Sequence, residues 1–407
     1  MAESDATPAE PTPAEALAKI LACVHPLPVE SRPLATLRGA ALAEDISAER
    51  DQPPFDRVTM DGVGLASSAW AAGRRRFRIA GVQAAGAAPL KLGSGDDCLE
   101  VMTGAVLPRG CDSVVPFERL RIADGYAELA DEPRIEPFVN VHTRALDCRA
   151  GERLLENGTR IGGPELMVIA SAGRARAQVR AEPRIIVVTT GDELVEPGEP
   201  IEPWQIRRSN AHALRGALTA RGYTQVADDH IQDDPMQLRE RLAVHLATHD
   251  ILILTGGVSM GRFDHVPQTL RDLGVRQVLH RVAQRPGRPL WFGVGPSGQL
   301  VFGLPGNPVS ALVCLVRYVV PALATAVGAR ATTTQTAVLA TAHALKPALW
   351  FFLPVRLRNV DARLTAEPQP TRGSGDFVSL LGTDGFVELP PGPAQYAAGR
   401  QFDFYAW

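Results

Sequence analysis

Charge of one sign is missing from this 407-residue chain: 42 lysines and arginines against 45 aspartates and glutamates leave a formal net charge of −3. Such a balance gives no global attraction to nucleic acid or to an anionic membrane, so any anionic ligand must be met by a local cluster. Cysteine is sparse and unpatterned. Cys23, Cys98, Cys111, Cys148 and Cys314 are odd in number and include no C-x-x-C pair. That excludes a zinc or disulfide framework and suits reduced thiols in a cytoplasmic setting, where a free cysteine usually serves as a small buried apolar residue. An apolar leader is missing too: MAESDATPAEPTP is acidic and proline-rich, and residues 1–11 read as a disordered lead rather than a signal peptide. The longest apolar stretch, residues 311–329, carries Arg317 and Pro321 in its middle. It reads as a buried helix ended by proline and not as a membrane span. No internal repeat is visible.

What is present is the ordinary material of a folded soluble protein, 45% hydrophobic and 21% charged residues, in a chain long enough for roughly two to four domains. The spacing of Ala16, Ile20, Leu21 and Val24 predicts an amphipathic helix over 13–24, stopped by the prolines that follow. From 52 to 145, glycine and proline punctuate short apolar runs such as FRIAGVQAAG and CLEVMTG, which predicts a mostly β domain. PELMVIASAG predicts a short helix from Pro164. The character changes at Pro183. RIIVVTT and DILILTGG are continuous apolar runs suited to strands buried on both faces. Helices are predicted over 209–222, 235–249, 266–273 and from Pro308, with VRQVLH and LVFGL as further strands. This alternation indicates an α/β domain with a mainly parallel sheet over 183–329. Beyond 330, short strands and turns return and predict a small β barrel or sandwich.

In open α/β sheets, ligands bind beyond the carboxyl ends of the strands. Three segments take that place: TTGDEL (189–194), TGGVSMGRFDH (255–265) and LPGNPVSA (304–311). In each, glycine lets the backbone turn sharply and approach a ligand. In the third, Asn307 suits an N-cap and Pro308 the first helical position, so the turn opens a helix whose free amides favour an anion. A plain capped helix explains the same residues. Glu193 and Asp264 fall just past strand ends, and Asp233 with Asp234 precedes a helix. Carboxylates meeting there would raise one another's pKa unless a cation neutralised them, and hard oxygen donors beside a phosphate suit Mg²⁺. Arg285-Pro-Gly-Arg-Pro289 fixes a turn with two guanidinium groups able to fork onto oxyanions. Each segment taken singly is equally a cap or a solvated turn.

Taken together, TMDG (59–62), VMTGAVLPRGCDSVV (101–115), TTGDEL, DDP (233–235), TGGVSMGRFD, RPGRP (285–289) and LPGNPVSA resemble, in order, the motifs of the molybdopterin molybdenumtransferase family, the MoeA and gephyrin E-domain group. The resemblance implies a multidomain α/β plus β fold in an elongated subunit. Its parts would be a discontinuous linker domain of residues 12–51 and 146–182, an inserted β domain of 52–145, a MogA-like three-layer α/β molybdopterin-binding domain of 183–329 and a C-terminal β barrel-like domain of 330–407. It also implies a homodimer, with an active site built between the α/β domain of one subunit and the inserted β domain of the other.

The activity so implied is a transferase reaction of molybdenum cofactor biosynthesis, insertion of molybdate into adenylylated molybdopterin with release of AMP. Mg²⁺ is the expected cofactor. MogA-like proteins and molybdoenzyme-maturation factors are the expected partners, and nucleic acid and membrane are not. Carried over residue by residue, Asp61, Asp147, Glu193, Asp233 and Asp264 take the catalytic positions, with Glu193, Asp233 and Asp264 on the metal. Thr103, Gly104, Gly191, Asp192, Gly256, Gly257, Ser259, Gly261, Pro305, Gly306, Asn307 and Ser310 fall on substrate-binding loops. Arg285, Arg288, Pro289, Arg356 and Ser374 are expected on molybdate.

Several positions depart from the family pattern. Arg285 and Arg288 stand where lysines are usual, exchanging a flexible ammonium for a planar fork. Val63 and His265 replace aromatics, Pro354 replaces an arginine with Arg356 close by, and Ala145 replaces a glycine. Two other readings stay open: a molybdopterin adenylyltransferase, an activity of the related α/β domain standing alone, and a non-catalytic molybdopterin-binding scaffold.

Overall fold

The computed structural model describes residues 10–129, 135–257, 265–331, 333–344, 348–392 and 394–407. Most of the disordered lead expected at the N-terminus therefore lies outside the described residues. Packing divides the chain into two units, one of residues 44–157 with 163–177 and one of residues 1–43, 158–162 and 178–407.

In the first unit, the punctuated runs become a six-stranded sheet. Its strands are β1 (Gly62–Leu65), β2 (Arg76–Gln83), β3 (Asp97–Val101), β4 (Ser113–Pro116), β5 (Leu120–Ala123) and β6 (Tyr126–Leu129), in the order β4–β1–β3–β2–β6–β5. Alternation along the strands feeds two cores. Val63, Leu65, Phe77, Cys98 and Val115 pack together, and Val58, Leu99, Val101 and Val114 form the second cluster. The predicted short helix is present as Gly163–Ser171.

The second unit begins with α1 (Pro13–Leu21), where Thr12 and Glu15 form a reciprocal capping box and Pro13 opens the helix. It then builds a six-stranded sheet from β7 (Ile185–Thr190), β8 (Val226–Ile231), β9 (Ile251–Thr255), β10 (Arg276–His280), β11 (Trp291–Val294) and β12 (Leu300–Leu304). The order is β8–β7–β9–β12–β11–β10. The first four are parallel, and β11 and β10 pair antiparallel at one edge. Every residue of β7, β9 and β12 is buried, as a sheet covered on both faces requires. Ile185, Val187, Ile251, Ile253 and Phe302 face one helical layer, made by α1, α2 (Ser209–Thr219) and the helix from Pro308. Ile186, Val188, Leu252, Leu254 and Val301 face the other, made by α3 (Pro235–Thr248) and α4 (Val266–Asp272). The result is the expected three-layer α/β domain.

One expectation needs correction. The helix from Pro308 does not end at Pro321 but runs to Ala326, as α5 (Pro308–Cys314), a π turn over Leu315–Val319, and α6 (Val320–Ala326). Proline interrupts an α-helix because it lacks an N–H and its ring meets the carbonyl four residues back. The wider π turn just before Pro321 relieves that conflict and lets the helix continue. This helix is long and apolar enough to cross a membrane, yet 72% of its most apolar window is buried within the protein.

The last strands, β13 (Gln335–Leu339), β14 (Trp350–Val360), β15 (Arg363–Pro368), β16 (Gly385–Leu389) and β17 (Gln401–Ala406), pair in the order β14–β15–β13–β17–β16, and β14 closes on β16. They make a five-stranded barrel around Leu339, Val355, Ala366, Val387 and Phe404. Arg317, 5% exposed, reaches out of the π turn to Glu388 of β16, 8% exposed, with an Nε–Oε2 distance of 2.7 Å. Neither charge could stay buried alone. Replacing Arg317 with Met should therefore cost about 3–5 kcal/mol in chemical denaturation, whereas Arg317→Met with Glu388→Leu should recover most of it. A single variant as stable as the double would show that the pair bears no such load.

Candidate functional site

At the carboxyl end of β7 the chain turns through Gly191, whose φ of +137° is open to glycine. A Cβ there would collide with the carboxylate of Glu193, which folds back over the turn. Asp192 Oδ1 accepts the backbone N–H of Asp233 at 3.1 Å, tying the turn after β7 to the one after β8. Asp233 is held above the ordinary carboxylate range by desolvation and by the negative charges of Asp192 and Glu193, opposed by a hydrogen bond from the Asp192 backbone to its carboxylate and by His265. Glu193, Asp192 and Asp233 thus meet. Among the described residues no group of three or more histidine, cysteine, aspartate or glutamate side chains closes into a metal-holding arrangement. Asp264, Ser259 and Gly261 lie outside the described residues.

Beyond β9, Gly256 and Gly257 have φ of +96° and +60°. A Cβ on Gly256 would stand 2.5 Å from the carbonyl oxygen of Thr190, and one on Gly257 would stand 2.9 Å from the Thr190 hydroxyl. Gly306, beyond β12, is in ordinary van der Waals reach of Gly256, with 3.7 Å from a Cβ to the Gly256 Cα. Only glycine at 256 and 257 lets the turn after β9 nest against Thr190. Asn210, at the start of α2, braces the turns after β9 and β12: its Nδ2 donates to the Gly306 carbonyl at 2.7 Å and to Thr255 Oγ1 at 3.0 Å. Thr255 Oγ1 donates in turn to the Pro305 carbonyl at 3.1 Å. The Thr190 hydroxyl is buried with no partner among the described residues. These groups line a cleft of about 640 Å³, together with Thr189, Glu193, Arg208, Asn307 and Phe377, a volume suited to a small-molecule ligand.

A second cleft of about 670 Å³ shares Asn307 with the first and is lined by Arg285, Arg288, Pro289, Pro305, Ser310, Pro354, Arg372 and Ser374. Asn307 occupies the N-cap position of α5, but its side chain does not cap the helix. It donates from Nδ2 to Ser374 Oγ at 2.7 Å, and the amide of Val309 donates to the Ser374 carbonyl at 3.1 Å. The helix N-terminus is thus partly spent on the barrel's Ser374 loop. The basic turn is fixed from beneath. Gln284, fully buried, donates to the Pro286 carbonyl and meets the Tyr318 hydroxyl, and a Cβ on Gly287 would strike Cys314 Sγ at 2.6 Å.

Arg288 makes a two-pronged pair with Glu10, at 2.8 Å from Nε and 2.9 Å from Nη2. Arg356 donates to the Gly382 carbonyl at 2.8 Å and is not among the residues lining the cleft. Arg372 lines it, and its guanidinium has no partner among the described residues. Sequence reasoning passes over Arg372, Asn210, Arg208, Thr190 and Glu10. The run Arg208-Ser-Asn at the head of a helix abutting the carboxyl edge is the signal that points to Asn210.

The remaining residues lie in the other unit. Asp61 Oδ1 accepts from the amide of Thr103 at 2.6 Å and from its hydroxyl at 2.8 Å. These bonds hold Asp61 below the ordinary carboxylate range. Gly104 follows with a φ of +84°. Asp147 pairs with His142 Nε2 at 2.9 Å, while Arg57 donates to His142 Nδ1 at 3.0 Å. With Nδ1 accepting, the neutral ring carries its proton on Nε2 and donates it to Asp147.

Three family models match the chain: the MoeA N-terminal region (domain I and II) over residues 12–173, the probable molybdopterin binding domain over 186–325 and the MoeA C-terminal region (domain IV) over 336–407. The molybdopterin molybdenumtransferase of Synechocystis is 43% identical over 371 residues, 91% of this chain and 93% of that protein. That of Staphylococcus epidermidis is 30% identical, covering 90% and 88%. A crystal structure of the molybdopterin biosynthesis MoeA protein from Pyrococcus horikoshii matches at a TM-score of 0.82 and 25% identity, over 98% of this chain and all of that one.

The raised pKa of Asp233 means that it takes up a proton early as pH falls. Asp192→Asn removes a negative neighbour, so the Asp233 titration should move to lower pH in carboxyl-carbon NMR of the metal-free chain. An unmoved titration would show that the two carboxylates do not interact.

Proposed function

The chain belongs to the MoeA family of molybdopterin molybdenumtransferases, and we propose that it is a transferase inserting molybdate into adenylylated molybdopterin with release of AMP. The observation that carries this reading is the pair of clefts sharing Asn307, one with glycine turns and the Glu193 carboxylate, the other with arginines. The matches run from residue 12 to 407, which favours this activity over that of an α/β adenylyltransferase domain standing alone.

The Thr190 hydroxyl, unpartnered among the described residues, and the nested glycine turns that Asn210 braces suit a phosphorylated ligand, whose oxygens need donors at close backbone approach. The neighbouring carboxylates of Asp192, Glu193 and Asp233 suit a hard divalent cation, and Glu193, Asp233 and Asp264 would hold Mg²⁺. When bound, Mg²⁺ would neutralise them and polarise the phosphoanhydride. Molybdate is a tetrahedral dianion. Arg285 and Arg372 would neutralise it, Ser374 would orient it, and Arg288 would join them once Glu10 gives way. Arg372 offers a guanidinium to a cleft where Pro354 has none to give. Asp61, kept ionised by Thr103, and Asp147, aligned by His142, are suited to holding a proton or the attacking water. Cleavage of the phosphoanhydride is then coupled to metal transfer, and no nucleophilic serine or cysteine is required.

Asp233→Ala and Glu193→Ala should each lower AMP release roughly 100-fold or more in single-turnover assays while the chain stays folded. Full activity in both would remove the metal reading and leave the scaffold reading in its place. Arg285→Glu with Arg288→Glu should raise the molybdate concentration needed for half-saturation before pterin binding weakens, and unchanged saturation would reduce the turn to a surface loop.

The homodimer with a site shared between subunits is likewise proposed, resting on the resemblance alone. Mixing Asp61→Ala chains with Asp233→Ala chains should restore part of the activity that each lacks, because one wild-type site can then form. Mixtures as inactive as their parents would place both residues in one chain's site.

A further inference from the structure

The amino edge of the parallel sheet, opposite the two clefts just described, carries a smaller one of about 160 Å³. Gly222, Tyr223 and Thr224, between α2 and β8, form part of its wall. Four guanidinium groups line it, those of Arg32, Arg38, Arg160 and Arg180. Two carboxylates answer them. Glu30 reaches Arg32 at 3.5 Å, and Glu182 is already spent on the amides of Thr224 and Gln225 and the Thr224 hydroxyl. Among the lining side chains, four guanidinium groups stand against the single carboxylate of Glu182, so the cleft is net positive.

The arginines are held in place with donors to spare. Arg180 gives one N–H to the Leu27 carbonyl at 2.9 Å. Arg160 gives one to the Gly39 carbonyl and one to the Tyr223 hydroxyl, both at 3.1 Å. Arg38 has no side-chain partner among the described residues. Tyr223 is 4% exposed. Its hydroxyl accepts from Arg160, and its own proton finds no acceptor among the described residues. Tyr223 lines the cleft, so its O–H can donate to an acceptor bound there. A partner that suits these groups is an acceptor, anionic, and small, because the cleft falls below the roughly 300–1,000 Å³ of sites that take drug-sized ligands.

We propose that this cleft binds a tetrahedral oxyanion of the phosphate class, as free phosphate or as the phosphoryl group of a small monoester. Guanidinium forks match pairs of its oxygens, and the Tyr223 hydroxyl takes one more. The site is independent of the transfer chemistry proposed above and uses none of its residues.

Phenylglyoxal labelling of arginines, mapped by mass spectrometry on the full chain, tests the proposal with inorganic phosphate in one arm and glycerol 3-phosphate in the other. Phosphate should protect Arg38 and Arg160 with half-protection on the order of 1 mM or below. Arg38→Ala, at an exposed and unpartnered position, should fold normally and weaken the protection of Arg160 roughly tenfold. Tyr223→Phe should weaken protection of both arginines, and Arg285→Ala should change nothing. Protection in both arms means that the mouth admits an ester, and protection by phosphate alone means a site closed around the free anion. The proposal is overturned if neither anion protects Arg38, or if Arg38→Ala leaves the protection of Arg160 intact.

Discussion

Parallel strands with no exposed face leave no room inside the sheet for a binding side chain. Each apolar side chain of β7, β9 and β12 packs against one helical layer or the other, so ligand recognition is displaced to the carboxyl edge, where threonines at positions 189, 190 and 255 end β7 and β9. What the edge can offer is backbone, and backbone reaches a ligand only where side chains are absent. The contact that decides this is Gly256 against the carbonyl of Thr190: a methyl group there would stand 2.5 Å away, closer than van der Waals contact allows. Nesting of the turns after β7 and β9 depends on that approach, and both turns line the cleft beside Glu193.

The basic turn belongs to the α/β domain by sequence and to the barrel by hydrogen bonding. Gln284 and Arg285 pair in parallel with Trp350 and Phe351 of β14. Ser374, from the loop after β15, reaches Asn307 and Val309 at the head of α5, and Arg317 from the same long helix reaches Glu388 on β16. These links place an arginine of one domain and a serine of the other along a single cleft wall. The buried ion pair is demanding rather than strongly stabilising, since both charges lose their water. Its geometry therefore fixes where the barrel sits on the helix.

The sequence makes local rules readable. Continuous β-branched runs marked β7 and β9, helical spacing and capping residues marked α1, α2 and α3, and glycine after each strand marked the edge that binds. It leaves distant pairings unreadable. Nothing near Asn307 announces that its amide serves Ser374, 67 residues away, in place of its own helix. Arg356 resembles a ligand by position, yet its guanidinium is drawn to the Gly382 carbonyl. The strand β11 is short and apolar on both faces, so periodicity cannot separate it from a buried helix turn. Ala145 shows the opposite case, in which resemblance exposes a local cost. It holds a φ of +61° where the family has glycine, a conformation that costs an L-residue about 1–2 kcal/mol.

Arginine in place of lysine at the basic turn has a consequence that charge alone would not produce. A lysine ammonium is a point donor, but the guanidinium of Arg288 presents two parallel N–H groups, and Glu10 accepts both. The face that grips those two carboxylate oxygens is the face that would grip two oxygens of a tetrahedral dianion, because the fork has the same spacing for either. Glu10 and an oxyanion therefore compete for one edge of Arg288. An ion pair with an arginine half-exposed to water is weakly held, and a dianion met by further guanidinium groups at Arg285 and Arg372 has the stronger claim on it. Under the proposed reading, arginine at 288 would keep the positive charge while its fork holds Glu10 of the N-terminal segment until an anion displaced it.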